Sequence, residues 1–203
     1  MFIVKCFLAS ALFFACYSNN KKNESADIAI LDNRTNQNIV PEVFTNTNDN
    51  GLSFHADTLY FNNIKYNGLV FKLNDNMDTI FKGGYFNGIE EGVHKKWYTL
   101  KQVAEIRHYH LGKKTGKHIG FWENGNTKFE FYFLKGEHNG IAKEWYNNGK
   151  LYRAFHYANG YEEGSQKMWW ENGTIRANYV VKNGRRYGLV GLKLCMNQTD
   201  SLN

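Results

Sequence analysis

Chemistry in this chain has to come from a small set of side chains. His94, His108, His110, His118 and His156 all lie in its periodic part, where an imidazole could ligate a metal ion or move a proton. His108 and His110 share one face of a strand. His156 repeats the position of His108 two 24-residue units later, about 19 Å away at strand spacing, which excludes a common ion. His94 and His118 stand one unit apart and would need a further ligand. Cys195 has no cysteine partner and reads as a small buried hydrophobe. No phosphate loop, Cys-x-x-Cys, Gly-x-Ser-x-Gly or His-Glu-x-x-His occurs, and nothing joins a nucleophile to a base and an orienting group. The expectation is a protein that is not an enzyme, with no cofactor and no metal.

Aromatic and basic residues offer binding rather than catalysis. Aromatics recur as the pairs Trp97-Tyr98, Phe121-Trp122, Trp145-Tyr146 and Trp169-Trp170, each 24 residues after the last. Residues 92–193 carry a net charge of +10 and residues 17–91 a net charge of −4. The basic excess gathers at turns, in Lys113-Lys114 and Arg185-Arg186. Tyr98, Trp122, Tyr146 and Trp170, with Lys113, Lys114, Arg185 and Arg186, form the candidate binding surface. Such a surface suits a protein, an anionic envelope polymer or a lipid headgroup, although turn lysines also keep sheet edges soluble. Basic residues among aromatics suit single-stranded nucleic acid too, but the export signal described below makes that partner unexpected.

The elements that position these residues follow from the glycines. Gly68, Gly92, Gly116, Gly140, Gly164 and Gly188 are 24 residues apart, as are Gly88, Gly112, Gly136, Gly160 and Gly184, and Gly125, Gly149 and Gly173. These columns hold 14 of the 19 glycines, so the period is built into the fold. Asn-Gly at 124/125, 148/149 and 172/173 predicts hairpin turns with both residues at positive φ, and Gly-x3-Gly predicts a second turn. Thr127, Phe129, Phe131 and Phe133 alternate onto one face, as do Leu151, Phe155 and Tyr157, and Ile175, Ala177, Tyr179 and Val181. Adjacent aromatics then point to opposite faces, giving one stripe for the core and one free to line a concave surface. With 203 residues, a net charge of +6, 16% aromatics and a single proline, the composition fits one all-β domain and excludes a polytopic membrane protein.

Trp145-Tyr146-Asn147-Asn148-Gly149-Lys150-Leu151 and its recurrences resemble the MORN repeat, in the bacterial variant also found in antitoxin-like repeat proteins. The resemblance runs from about Gly68 to Gly188, with a fainter half-unit from Ser53 to Asn63 that could cap the array. The first unit has Leu73-Asn74 for the aromatic pair and Met77 for the turn glycine. The second has Thr99-Leu100-Lys101 where Asn-x-Gly is expected, which implies an altered turn. The resemblance implies a non-catalytic binding or scaffolding module, or alternatively an antitoxin-like or immunity protein that covers a toxin. The expected fold is an elongated single-sheet ribbon of about five tandem 24-residue β-hairpin units over residues 51–195.

Residues 1–15 place Lys5 before the apolar run Phe7 to Ala15, the length of a signal-peptide core and too short to span a bilayer. Leu12-Phe13-Phe14-Ala15-Cys16 resembles a bacterial lipobox, with bulkier phenylalanines than the strict pattern. That resemblance implies cleavage before Cys16, lipidation of its sulfur and a lipid-anchored envelope protein. Tyr17 in place of a retention aspartate favours the outer membrane over the inner. Residues 16–50 are Asn-rich and polar, and are expected to be a flexible tether; residues 196–203 form a short tail.

Overall fold

The structure, a computed structural model, describes residues 38–99 and 102–190. The signal segment, Cys16, most of the tether, Leu100-Lys101, Cys195 and the tail lie outside the described residues. Alternating apolar patterns and evenly spaced turn glycines fold the chain into a meander. The strands β5 (Gly68–Leu73), β6 (Thr79–Phe86), β7 (Ile89–Thr99), β8 (Gln102–His110), β9 (Lys113–Lys114) and β10 (Gly116–Phe121) pair antiparallel with their neighbours. The same sheet continues through β11 (Thr127–Leu134), β12 (Glu137–His138), β13 (Gly140–Trp145), β14 (Leu151–Ala158), β15 (Tyr161–Trp169), β16 (Ile175–Lys182) and β17 (Arg185–Leu189). This is the all-β hairpin array that the period predicts.

Two departures occur at the amino-terminal end. Phe44–Asn46 is a strand (β1) that pairs parallel with β5, so the sheet begins inside the stretch expected to be tether. Its anchor is Tyr66, which is buried and donates its hydroxyl to Thr45 Oγ1 at 2.9 Å. The half-unit forms a separate three-stranded sheet, β2 (Leu52–His55), β3 (Thr58–Phe61) and β4 (Ile64–Lys65), in place of a single ribbon sheet. It covers the end of the array by burying Leu59 against Tyr66, Val70 and Tyr85. The Leu59 N–H donates to Gly88 O at 2.8 Å.

The two turn types are distributed otherwise than the Asn-Gly pairs suggest. Two-residue turns with both residues at positive φ fall at Asn87-Gly88, Leu111-Gly112, Lys135-Gly136, Asn159-Gly160 and Asn183-Gly184. At 124/125, 148/149 and 172/173 only the glycine is left-handed. There the asparagine side chain accepts from the backbone two residues on, as in Asn126 N to Asn124 Oδ1 at 3.0 Å, and the glycine closes a three-residue turn by bonding back to Trp122, Tyr146 or Trp170. Met77 takes the same left-handed role at φ 66° in the first unit. A left-handed backbone costs a side chain without local hydrogen bonding about 1–2 kcal/mol, while asparagine tolerates it. Lys135→Asn, which restores the asparagine of the sister turns, is therefore expected to raise stability by about 1 kcal/mol in denaturant melts.

The second glycine of the first four Gly-x3-Gly segments makes a bulge in place of a turn, whereas Gly188 pairs regularly with Tyr179. Between the pairs Lys82↔Lys95 and Gly84↔Glu91, and again between Phe155↔Gln166 and Tyr157↔Glu162, one strand carries two extra residues. Gly92 and Gly164 sit in these bulges at φ 75° and 72°. Across the bulge the facing residue falls outside the regular pairing, and a buried side chain fills the opening. Gln166, with no exposed surface, accepts from His156 N at 3.1 Å and donates to His156 O at 2.8 Å. His118 Nε2 lies 3.2 Å from His108 N and 2.9 Å from His108 O, and His94 Nε2 lies 2.9 Å from Gly84 O. These histidines do structural work that a search for metal ligands does not anticipate.

Stacking of these inward side chains makes the core. His94 and Tyr109 are 4.6 Å apart by ring centroid, His118 and Phe133 4.5 Å, and Phe133 and His138 4.3 Å. The column continues through buried Phe155, Tyr179 and Val181, as the alternation predicts.

Candidate functional site

Each aromatic pair sits where a hairpin meets its three-residue turn, just after a shift in register: Gly120/Phe121, Glu144/Trp145 and Met168/Trp169. The second member of each of the first three pairs reaches the next unit. Tyr98 hydroxyl donates to Phe121 O at 3.0 Å, Trp122 Nε1 to Trp145 O at 3.1 Å, and Tyr146 hydroxyl to Trp169 O at 3.0 Å. These bonds run along one edge of the sheet. A matching set ties the other edge, with Gly112 N to Glu90 O and Gly136 N to Lys114 O, both at 2.9 Å. Tyr98, Trp122 and Tyr146 thus spend their polar atoms on the stack and keep their rings in fixed planes.

Between Trp122 and Tyr146 the sheet opens into a groove of about 610 Å³. Its floor is apolar: Phe129 and Phe131 stack at 4.7 Å with planes 16° apart, and Tyr152 meets Tyr146 edge-on at 5.1 Å. Trp145 and Tyr146 both border it, contrary to the expectation of opposite faces, because the register shift before Trp145 breaks the alternation. Burial pushes the Tyr146 hydroxyl above its ordinary range, which keeps it a donor to Trp169. The rim carries Lys128, Glu144, Asn147 and Glu171. Lys128 Nζ lies 4.4 Å from the Trp122 ring centroid, and Glu144 is ion-paired with Arg153. Trp170, one unit on and 40% exposed, is covered in the same way by Arg176 at 4.4 Å.

The basic residues singled out in the sequence do not join this groove. Lys113-Lys114 and Arg185-Arg186 follow the two-residue turns, whereas Trp122 and Trp170 precede the three-residue turns at the far ends of the strands. Nine residues of extended chain put Lys113 roughly 25 Å or more from Trp122. Lys113 and Arg185 are exposed; Lys114 packs 5.2 Å from the Phe133 ring, and Arg186 packs 5.4 Å from the Tyr179 ring while donating to Glu162 at 3.0 Å. The cations that do border aromatics at the groove edge, Lys128 and Arg176, were missed. Their signal was available, since they share one column of the 24-residue frame, six residues after Trp122 and Trp170.

A second, smaller hollow of about 190 Å³ gathers Glu90, His94, Lys96, Glu105, Arg107 and Tyr109 beside Phe81. Glu90 Oε1 lies 3.6 Å from His94 Nδ1. Burial lowers the His94 imidazole pKa and raises that of the Glu90 carboxyl, so both lean towards their neutral forms. Glu105 is held by Lys96 and Arg107. Among the described residues no serine, threonine or cysteine lines this hollow. Among the described residues no group of three or more His, Cys, Asp or Glu is placed to hold a metal ion.

Fold and groove together define a β-hairpin repeat array that offers an aromatic surface. Residues 139–159 match the family described as MORN repeat variant, a segment that spans the bulge glycine Gly140, the Trp145-Tyr146 pair and the Gly149 turn. The match supports a MORN-repeat assignment, and such repeats are in general non-enzymatic binding or scaffolding modules. No curated protein matches the chain.

Proposed function

We propose that this chain is a non-catalytic binding module of the bacterial cell envelope, held at a membrane through lipid on Cys16, with its ligand entering the Trp122–Tyr146 groove. The observation that carries the binding part is the groove itself. An aromatic-floored cleft of about 610 Å³ is large enough for a small ligand or a ligand segment, and its rings are already fixed by inter-unit hydrogen bonds. Ordering the walls beforehand lowers the entropy cost of binding. Cations pack on Trp122 and Trp170 and carboxylates line the rim, so the groove does not select an anionic ligand through Lys113, Lys114, Arg185 or Arg186. The anchor rests on the lipobox-like residues before Cys16. Several acyl chains on one residue, at about 0.8 kcal/mol per buried methylene, hold a protein to a bilayer without a spanning helix.

Metabolic fatty-acid labelling with membrane fractionation tests the anchor. The native chain is expected to carry label and sediment with membranes, and Cys16→Ser to lose both. A native chain without label contradicts the anchored reading.

A further inference from the structure

We infer, resting on the binding-module reading, that the Trp122–Tyr146 groove takes an uncharged, extended glycan chain, its sugar rings laid against the aromatic side chains. Three features of the groove select this chemistry. First, the aromatics on its two flanks, Trp122 and Tyr146, have no donors to spare. Trp122 Nε1 and the Tyr146 hydroxyl are committed to Trp145 O and Trp169 O, so what they present to a ligand is ring surface, at Trp122 the face opposite Lys128. A ligand rich in backbone carbonyls, such as a polyproline segment, needs donors of that kind. A sugar ring does not, because its axial C–H face packs on an aromatic plane.

Second, the polar rim is rich in acceptors and balanced in charge. Glu144 and Glu171 each have more lone-pair sites than their protein partners use: Glu144 faces Arg153, and Glu171 Oε1 accepts from Asn148 Nδ2 at 2.8 Å. Lys128 and Arg153 offset the two carboxylates. Sites of this kind match a ligand that brings many hydroxyl donors and no net charge. A polyanion would meet Glu144 and Glu171, and a cation would meet Lys128.

Third, the aromatic column continues beyond the groove, through Tyr98 on one side and Trp170 on the other. Two strands per unit set a step of about 9.6 Å between successive rings, close to the length of a disaccharide in an extended chain. One aromatic would then meet every second sugar.

The test is calorimetric and fluorescence titration of the full chain with cellohexaose and hexa-N-acetylchitohexaose as neutral probes, and with oligogalacturonate and decaproline as comparators. At least one neutral hexasaccharide is expected to bind saturably and to shift tryptophan emission. Tyr152→Ala is expected to weaken that binding by about tenfold or more. Glu171→Gln, at an exposed position outside the aromatic packing, is expected to weaken it without altering thermal unfolding, and Lys113→Ser to leave it unchanged. Failure of both neutral hexasaccharides to bind the folded chain overturns the glycan assignment, as does binding that neither Tyr152→Ala nor Glu171→Gln weakens. Binding of decaproline alone overturns the glycan assignment while leaving the binding-module reading intact.

Discussion

Gln166→Ala is expected to destabilise the protein by about 3 kcal/mol, while Gln166→His costs much less. Gln166 is fully buried, and its amide is the partner of both the N–H and the C=O of His156 across the bulge made by Gly164. Alanine deprives both backbone groups of this partner. Each such group costs roughly 1–3 kcal/mol, and the emptied volume adds to the loss. Histidine at this position repeats the arrangement at His118, one two-unit step earlier in the same column, where a single imidazole nitrogen faces His108 N and O. Urea melts of the two variants check the difference. Equal losses for alanine and histidine would show that the bulge is not what the side chain serves.

Acid is expected to weaken the fold between about pH 6.5 and pH 4, with His118 the largest identified contributor. Burial pushes the His118 imidazole down to about 4, with its backbone contact to His108 opposing the shift, whereas an unfolded histidine titrates near 6.5. At neutral pH both states hold a neutral ring and the group is silent. As pH falls below about 6.5 the unfolded chain takes up a proton that the folded ring refuses, so stability drops until about pH 4 and then levels for this group. The full span is on the order of 3 kcal/mol. Burial lowers His94 and His138 as well, which adds loss in the same direction. His118→Gln, with the amide of the Gln166 unit, is expected to flatten His118's share of the slope. Stability measured by urea at pH 7 and pH 4.5 for both chains reads this directly, and an unchanged slope in the variant would place the acid sensitivity elsewhere.

Much of the architecture is written in the period. The columns beginning at Gly88 and Gly125 locate every second turn because a left-handed residue at a fixed interval has few other uses, and the alternation from Phe129 to Phe133 correctly puts Phe133 inward. Register shifts are what periodicity cannot express. The bulges at Gly92, Gly116, Gly140 and Gly164 lengthen one strand against the next, so the second glycine column reads as a turn until the pairing is seen. Side chains that fill bulges bond to a residue ten positions away, and no local pattern signals it; only the shared frame of His94, His118 and Gln166 hints at a common task. β1 escaped notice because Phe44–Asn46 lies in polar, Asn-rich chain and is held by Tyr66 from 21 residues on. At the groove, the aromatics were legible as pairs, but the basic residues were chosen for clustering in sequence, and strand length carries those clusters to the opposite edge.

Site-specific photocrosslinking in intact cells tests the central claim most directly, with the photoreactive residue placed at position 152 in the groove and, separately, at position 113 on the far turn edge. The expected result is a discrete adduct from position 152 that diminishes with Trp122→Phe, and none from position 113. Adducts from position 113 alone would move the binding surface to the basic turns and contradict the groove as the working site.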